Sequence, residues 1–169
     1  FQTPRVYENL TPRRNLELAV KGSHSPFALL FGSLRSDQRD RVQQLLSVVG
    51  LEDHASQQAG SLSHGQKQWL EIAMLLAQDP ELLLVDEPVA GLSDEETART
   101  GELMRHLAGD HTVLVIEHDM DFIRELGCPV TVLHEGHVLC EGSMDAVQND
   151  SRVIEVYLGD EGELLEDDA

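Results

Sequence analysis

The stretch Leu62-Ser63-His64-Gly65-Gln66, a helical run, and then Leu82-Leu83-Leu84-Val85-Asp86-Glu87-Pro88 constrains this chain more than any other. Ser63 stands where a helix N-cap belongs. Apolar positions follow it periodically through Leu70, Ile72, Ala73, Leu75, Leu76 and Ala77, so a helix is expected from about His64 to Gln78. The first turn of such a helix leaves backbone N–H groups without acceptors and carries the positive end of the helix dipole, which suits an anion. Gly65, with no Cβ, lets a ligand approach the backbone closely. Asp79-Pro80 stops the helix. The apolar run that follows predicts a strand buried on both faces, with Asp86 and Glu87 at its C-terminal end, where open α/β sheets take their ligands. The plainer alternative is a buried strand that ends in a solvated acidic turn.

Thr112-Val113-Leu114-Val115-Ile116 predicts a second buried parallel strand, from whose end His118 emerges. Helical periodicity also marks Glu8 to about Val20 and Ser36 to about Val49, the second closed by Gly50. Between them, residues 21–33 read as a loop around Phe27-Ala28-Leu29-Leu30-Phe31, a pentad that either packs internally or faces a partner. Downstream, Met120 to Leu126 is expected as a short helix, and Val130–His134 with His137–Glu141 as a hairpin turning at Glu135-Gly136. Short helices are expected at 143–147 and 152–158. His134 and His137 flank a turn and lack the spacing that puts two histidines on one helix face, so no metal is expected there.

Charge separates function classes. Residues 1–60 carry seven Lys or Arg against six Asp or Glu, so the net charge of −19 lies downstream. That balance argues against nucleic acid, whose phosphates require a basic surface. No apolar run approaches a bilayer span, so membrane association is expected through a partner. Cys128 and Cys140 have no metal or redox spacing and read as reduced thiols. Residues 160–169 are mostly acidic and are expected to form a disordered tail.

The run 62–71, the strand ending in Asp86-Glu87, Val89-Ala90-Gly91-Leu92, and Val153 to Gly159 together resemble the ATP-binding cassette ATPases. Leu62 to Gln66 is similar to that family's signature sequence, and Leu82 to Glu87 to its Walker B strand. The resemblance implies an α/β P-loop NTPase fold, here partial, with a helical subdomain. Residues 1–80 would hold the Q-loop, helical subdomain and signature helix, and 81–159 the C-terminal half of the ATPase core. It implies ATP and Mg²⁺ as cofactors. Asp86 and Gln2 would hold Mg²⁺, partly through water, and Glu87 would orient or deprotonate the attacking water. His118 would contact the γ-phosphate as the switch histidine. Ser63, Gly65 and Gln66 of one subunit would complete the nucleotide site of another. Ser93 stands where many relatives carry Asp, so its interface role and its helix-capping role both stay open. For His64, where the wider signature has Gly, helix capping or packing is the safer reading than phosphate contact.

No Gly-x-x-x-x-Gly-Lys-Ser/Thr phosphate loop occurs in the sequence; Gly60 and Gly65 have that spacing, but Gln66 follows. Since such a loop cradles the nucleotide phosphates, weak or no ATP binding by these residues alone is expected. The chain starts at Phe1 and is read as the C-terminal part of a longer subunit. Within the superfamily the likeness is to subunits of branched-chain amino acid importers, and among those to urea transporters. It implies transmembrane permease subunits, a second ATP-binding subunit and, indirectly, a solute-binding protein as partners, at the cytoplasmic face of the plasma membrane. Two rival classes are a non-transport cassette ATPase of DNA repair or chromosome maintenance, and a catalytically inactive module that pairs with an intact subunit.

Overall fold

Thr11 starts the first helix, α1 (Pro12–Ala19), by accepting a hydrogen bond at Oγ1 from the Arg14 N–H at 3.1 Å, with Pro12 in the first turn, where a missing N–H costs nothing. The computed structural model describes residues 5–21 and 35–156. Helix α1 begins later than the periodicity from Glu8 suggests, because buried Asn15 holds the preceding segment outside the helix. Its side chain accepts from Tyr7 N–H (2.8 Å) and donates to the carbonyls of Tyr7 (3.1 Å) and Thr11 (3.0 Å). A buried amide with these bonds made incurs little of the usual desolvation cost.

Helix α2 (Ser36–Val48) turns Val42, Leu45 and Leu46 inward and ends at Gly50, whose φ of 61° is left-handed. Two 3₁₀ turns, Glu52–His54 and Ala59–Ser61, lead to α3 (His64–Leu76). The three helices pack on one another, burying Leu16, Val42, Leu45, Leu46, Leu70 and Ile72 almost completely. Each such side chain contributes about 1.5–3 kcal/mol by leaving water.

Strand β1 (Leu82–Asp86) pairs in parallel with β2 (Thr112–Ile116), register Leu82↔Thr112 through Asp86↔Ile116, and α4 (Asp94–Leu107) makes the crossover. The sequence predicted burial on both faces; the structure covers one. Leu83 and Val85 are buried on the face that carries α4, while Leu82, Leu84, Leu114 and Ile116 are 52%, 61%, 53% and 58% exposed. Alternation along a strand sends successive side chains to opposite faces, and among the described residues no layer lies on the second one. Helix α4 is tied to α3 through Trp69, whose Nε1 donates to buried Thr100 Oγ1 at 2.9 Å. The Thr100 hydroxyl donates in turn to the Glu96 carbonyl at 2.8 Å. Arg99 lies 4.3 Å over the same indole and donates to the Val49 and Gly50 carbonyls at the end of α2.

The chain divides into two compact units, Phe1–Glu117 and His118–Ala169. In the second, Asp119 caps α5 (Met120–Leu126) by accepting from the N–H groups of Asp121 and Phe122, and Gly127 at φ 67° ends it. Strands β3 (Val130–His134) and β4 (His137–Gly142) form the expected hairpin. Glu135 (φ 47°) and Gly136 (φ 78°) give its turn the positive φ values that match strand twist. Val132 packs with Val147 of α6 (Met144–Gln148) and Val153 of a helix over 151–156, α7. Phe27–Phe31 and the acidic tail lie outside the described residues.

Candidate functional site

The N-terminus of α3 is built as the sequence pattern requires. Ser63 is the N-cap: its Oγ accepts from Gln66 N–H at 3.2 Å, and Gln66 Oε1 accepts from Ser63 N–H at 3.0 Å. The reciprocal pair fixes both side chains. Gln66 Nε2 then donates to His54 Nε2 at 3.1 Å, because its oxygen is already engaged. That bond puts the His54 proton on Nδ1, a buried atom without a partner.

A carboxylate of the chain itself stands at this helix start. Glu96 of α4 accepts at Oε1 from the Ser63 hydroxyl at 2.8 Å, while its Oε2 accepts from the Ser93 N–H and hydroxyl, each at 3.2 Å. Ser93 Oγ returns the contact by accepting from Glu96 N–H, so α4 carries the same capping box as α3. A Cβ added at Gly65 would lie 2.7 Å from Glu96 Oε1, so the close approach that glycine permits is made by this carboxylate. These bonds hold the Glu96 carboxyl below the usual carboxylate range, the Ser93 backbone N–H foremost and partly opposed by burial; Ser63, the Ser93 hydroxyl and the charge of His64 add to the lowering.

The second cluster lies where β1 ends. Asp86 is its last residue, and Glu87 adopts φ 48°, a left-handed conformation uncommon for a residue with a Cβ. Surrounding bonds impose it. Glu87 N–H donates to the Ile116 carbonyl of β2 at 2.9 Å, and its own carbonyl accepts from Ala90 N–H at 3.3 Å. Glu117, at the end of β2, accepts from Val89 N–H at 3.2 Å and braces the same turn. Strain of this kind is tolerated where the surroundings over-determine a side chain's direction.

Ser63, Gly65 and Gln66 are thus brought together at one helix start, and Asp86 and Glu87 at one sheet edge. His118 opens the second unit, and Gln2 lies outside the described residues. Sequence reasoning missed Glu96 as a partner of Ser63, along with Glu117 and His54. For Glu96 a signal existed in Ser93-x-x-Glu96, which announces its capping role but not its reach across to α3. Among the described residues no group of three or more His, Cys, Asp or Glu is arranged to hold a metal. Mg²⁺ does not need one: it keeps waters and takes one or two carboxylates with phosphate oxygens, so Asp86 at an open edge fits it.

The sequence profile of the family described as "ABC transporter" matches residues 1–90, and that of "Branched-chain amino acid ATP-binding cassette transporter" matches 137–163. The high-affinity branched-chain amino acid transport ATP-binding protein LivG of Escherichia coli is 34% identical, over 95% of this chain and 66% of its own length. The corresponding BraF protein of Pseudomonas aeruginosa is 32% identical with the same coverage. The chain therefore spans just under two thirds of the length of these curated relatives. Among solved structures, the ADP conformation of an ATP-binding cassette of an ABC transporter superposes with a TM-score of 0.77 at 27% identity, covering 94% of this chain and 66% of that one. A part of the cbiONQ ABC transporter complex of Clostridium perfringens gives 0.73 at 26% identity, covering 98% and 65%.

Proposed function

This chain belongs to the ABC transporter family, in its ATP-binding cassette fold, and from that premise we propose that it is the signature and Walker B portion of an ATP-hydrolysing subunit that drives a solute importer. The observation that carries this reading is Glu87, held at φ 48° directly after the Asp86 carboxylate at the C-terminal edge of a parallel strand. A carboxylate fixed in that way can orient a water and accept its proton.

Bound ATP and Mg²⁺ supply the phosphoryl group and the charge that polarises it. Asp86 would hold the ion through its water shell. Glu87 would align the attacking water and take its proton, and for His118 the family resemblance implies a γ-phosphate contact. The family resemblance implies Gln2 as a further Mg²⁺ holder, partly through water. The Ser63 hydroxyl and the Gly65 N–H would donate to phosphate oxygens of a nucleotide held by a second subunit, with Gln66 completing the site by holding Ser63, so pairing of subunits is linked to ATP. A phosphate loop must complete each site, and without one the chain binds ATP weakly. Partners are the permease subunits and, through them, a solute-binding protein, which places the chain peripherally at the cytoplasmic membrane face. Among the described residues no helix is long and apolar enough to cross a membrane.

The relatives' names favour a branched-chain amino acid as solute; urea or a related amide is the finer alternative, carried by the likeness of the runs 62–71, 89–92 and 153–159. Co-expression with permease subunits of a branched-chain amino acid importer tests the assignment. The tagged chain is expected to retain them through purification, and vesicles carrying the assembly to accumulate labelled leucine or urea with ATP. A chain that purifies without any membrane subunit, and restores ATPase activity to a DNA-maintenance protein instead, would overturn the importer reading.

A further inference from the structure

We propose that Glu96 is an internal competitor for the nucleotide phosphate, a carboxylate that occupies the Ser63 hydroxyl and the Gly65 surface until ATP displaces it. The inference rests on the nucleotide role proposed for Ser63. It starts from a count of protons. The Ser63 hydroxyl has one, and at 2.8 Å it goes to Glu96 Oε1. The hydroxyl's accepting side is also engaged, by Gln66 N–H. Ser63 therefore cannot donate to a phosphate oxygen while Glu96 stays in place.

Space leads to the same conclusion. The carboxylate packs onto Gly65 so closely that even a methyl group there would meet it at 2.7 Å. A phosphate approaching the same backbone meets an atom of like charge. Glu96 can nevertheless leave without dismantling its own helix, because its other oxygen stays with the Ser93 N–H and hydroxyl. Releasing Ser63 thus costs one charge-assisted bond, and the carboxylate swings aside from a fixed pivot at the start of α4. Ser93 and Glu96 follow directly on the turn after Glu87. The titratable neighbour facing Glu96 from α3 is His64; Ser63 and Ser93 provide the remaining contacts.

Glu96→Gln keeps the shape and the Ser93 bonds but removes the charge. Two measurements on the chain and this variant test the proposal. In the first, backbone amide resonances are followed between about pH 6 and about pH 3. The Gln66 and Ser93 amides, on different helices, should move together in one transition below 4.5 in the parent chain and not in the variant. In the second, an intact branched-chain amino acid cassette, made hydrolysis-deficient and loaded with ATP, captures the chain through its Ser63 half. Glu96→Gln should lower the ATP concentration for half-maximal capture about five- to tenfold, the scale of one ordinary hydrogen bond. Unchanged or weaker capture by the variant would overturn the proposal, since a purely structural Glu96 gives loss rather than gain. Separate transitions for Gln66 and Ser93 would overturn it as well. Capture of neither form removes the nucleotide role of Ser63 and the competitor with it, and an intact shared transition then identifies that role as the step that failed.

Discussion

Glu87→Gln, placed in a form of this chain that carries a phosphate loop, is expected to lower ATP turnover about 10²- to 10⁴-fold while leaving nucleotide binding in place. The substitution keeps side-chain length and shape, and the backbone bonds from Glu87 to Ile116 and Ala90 do not involve the carboxylate. The ability to take a proton from water is lost. Because bound ATP is then not consumed, subunit pairs should accumulate, visible as a nucleotide-dependent dimer in size-exclusion chromatography. Turnover at the parent rate would remove Glu87 as the base and leave the sheet edge without an assigned proton acceptor.

The second large effect is on stability. Leu70→Ala should cost about 2–5 kcal/mol, because Leu70 is fully buried in the contact among α1, α2 and α3 and the helices flanking the cavity can close it only in part. A denaturation midpoint in urea, with its slope unchanged, measures that loss. The same substitution bears on function, since α3 carries Ser63 and Gln66 at its start. A loss under about 1 kcal/mol would mean that the three-helix core repacks freely and does not set the angle at which α3 presents its N-terminus.

Much of this arrangement was legible because it is local. Ser63 and Gln66 are three residues apart, and a capping box can be read from that spacing; the structure shows both of its bonds. The β3–β4 hairpin was legible for the same reason: Glu135-Gly136 supplies the positive φ values that its turn needs. The two parallel strands announced themselves through β-branched and leucine-rich runs, but their burial did not follow. A continuous apolar run predicts that both faces avoid water, whereas among the described residues no layer lies on the second face of β1 and β2. Glu96 was illegible for a related reason. Its contact to Ser63 spans 33 positions, and nothing in either local pattern says that the two helix starts meet. The left-handed Glu87 likewise depends on Ile116 in the neighbouring strand, so its strain appears only once the sheet forms.

The central claim is that these residues form the signature and hydrolytic edge of a nucleotide site that a phosphate loop must complete. Titration of Mg-ATP into this chain, and into the same chain extended upstream by such a loop, with hydrolysis followed in parallel, tests it most directly. The account predicts binding and turnover in the extended protein only. Tight binding and hydrolysis by the chain of 169 residues would contradict it and require a different nucleotide site.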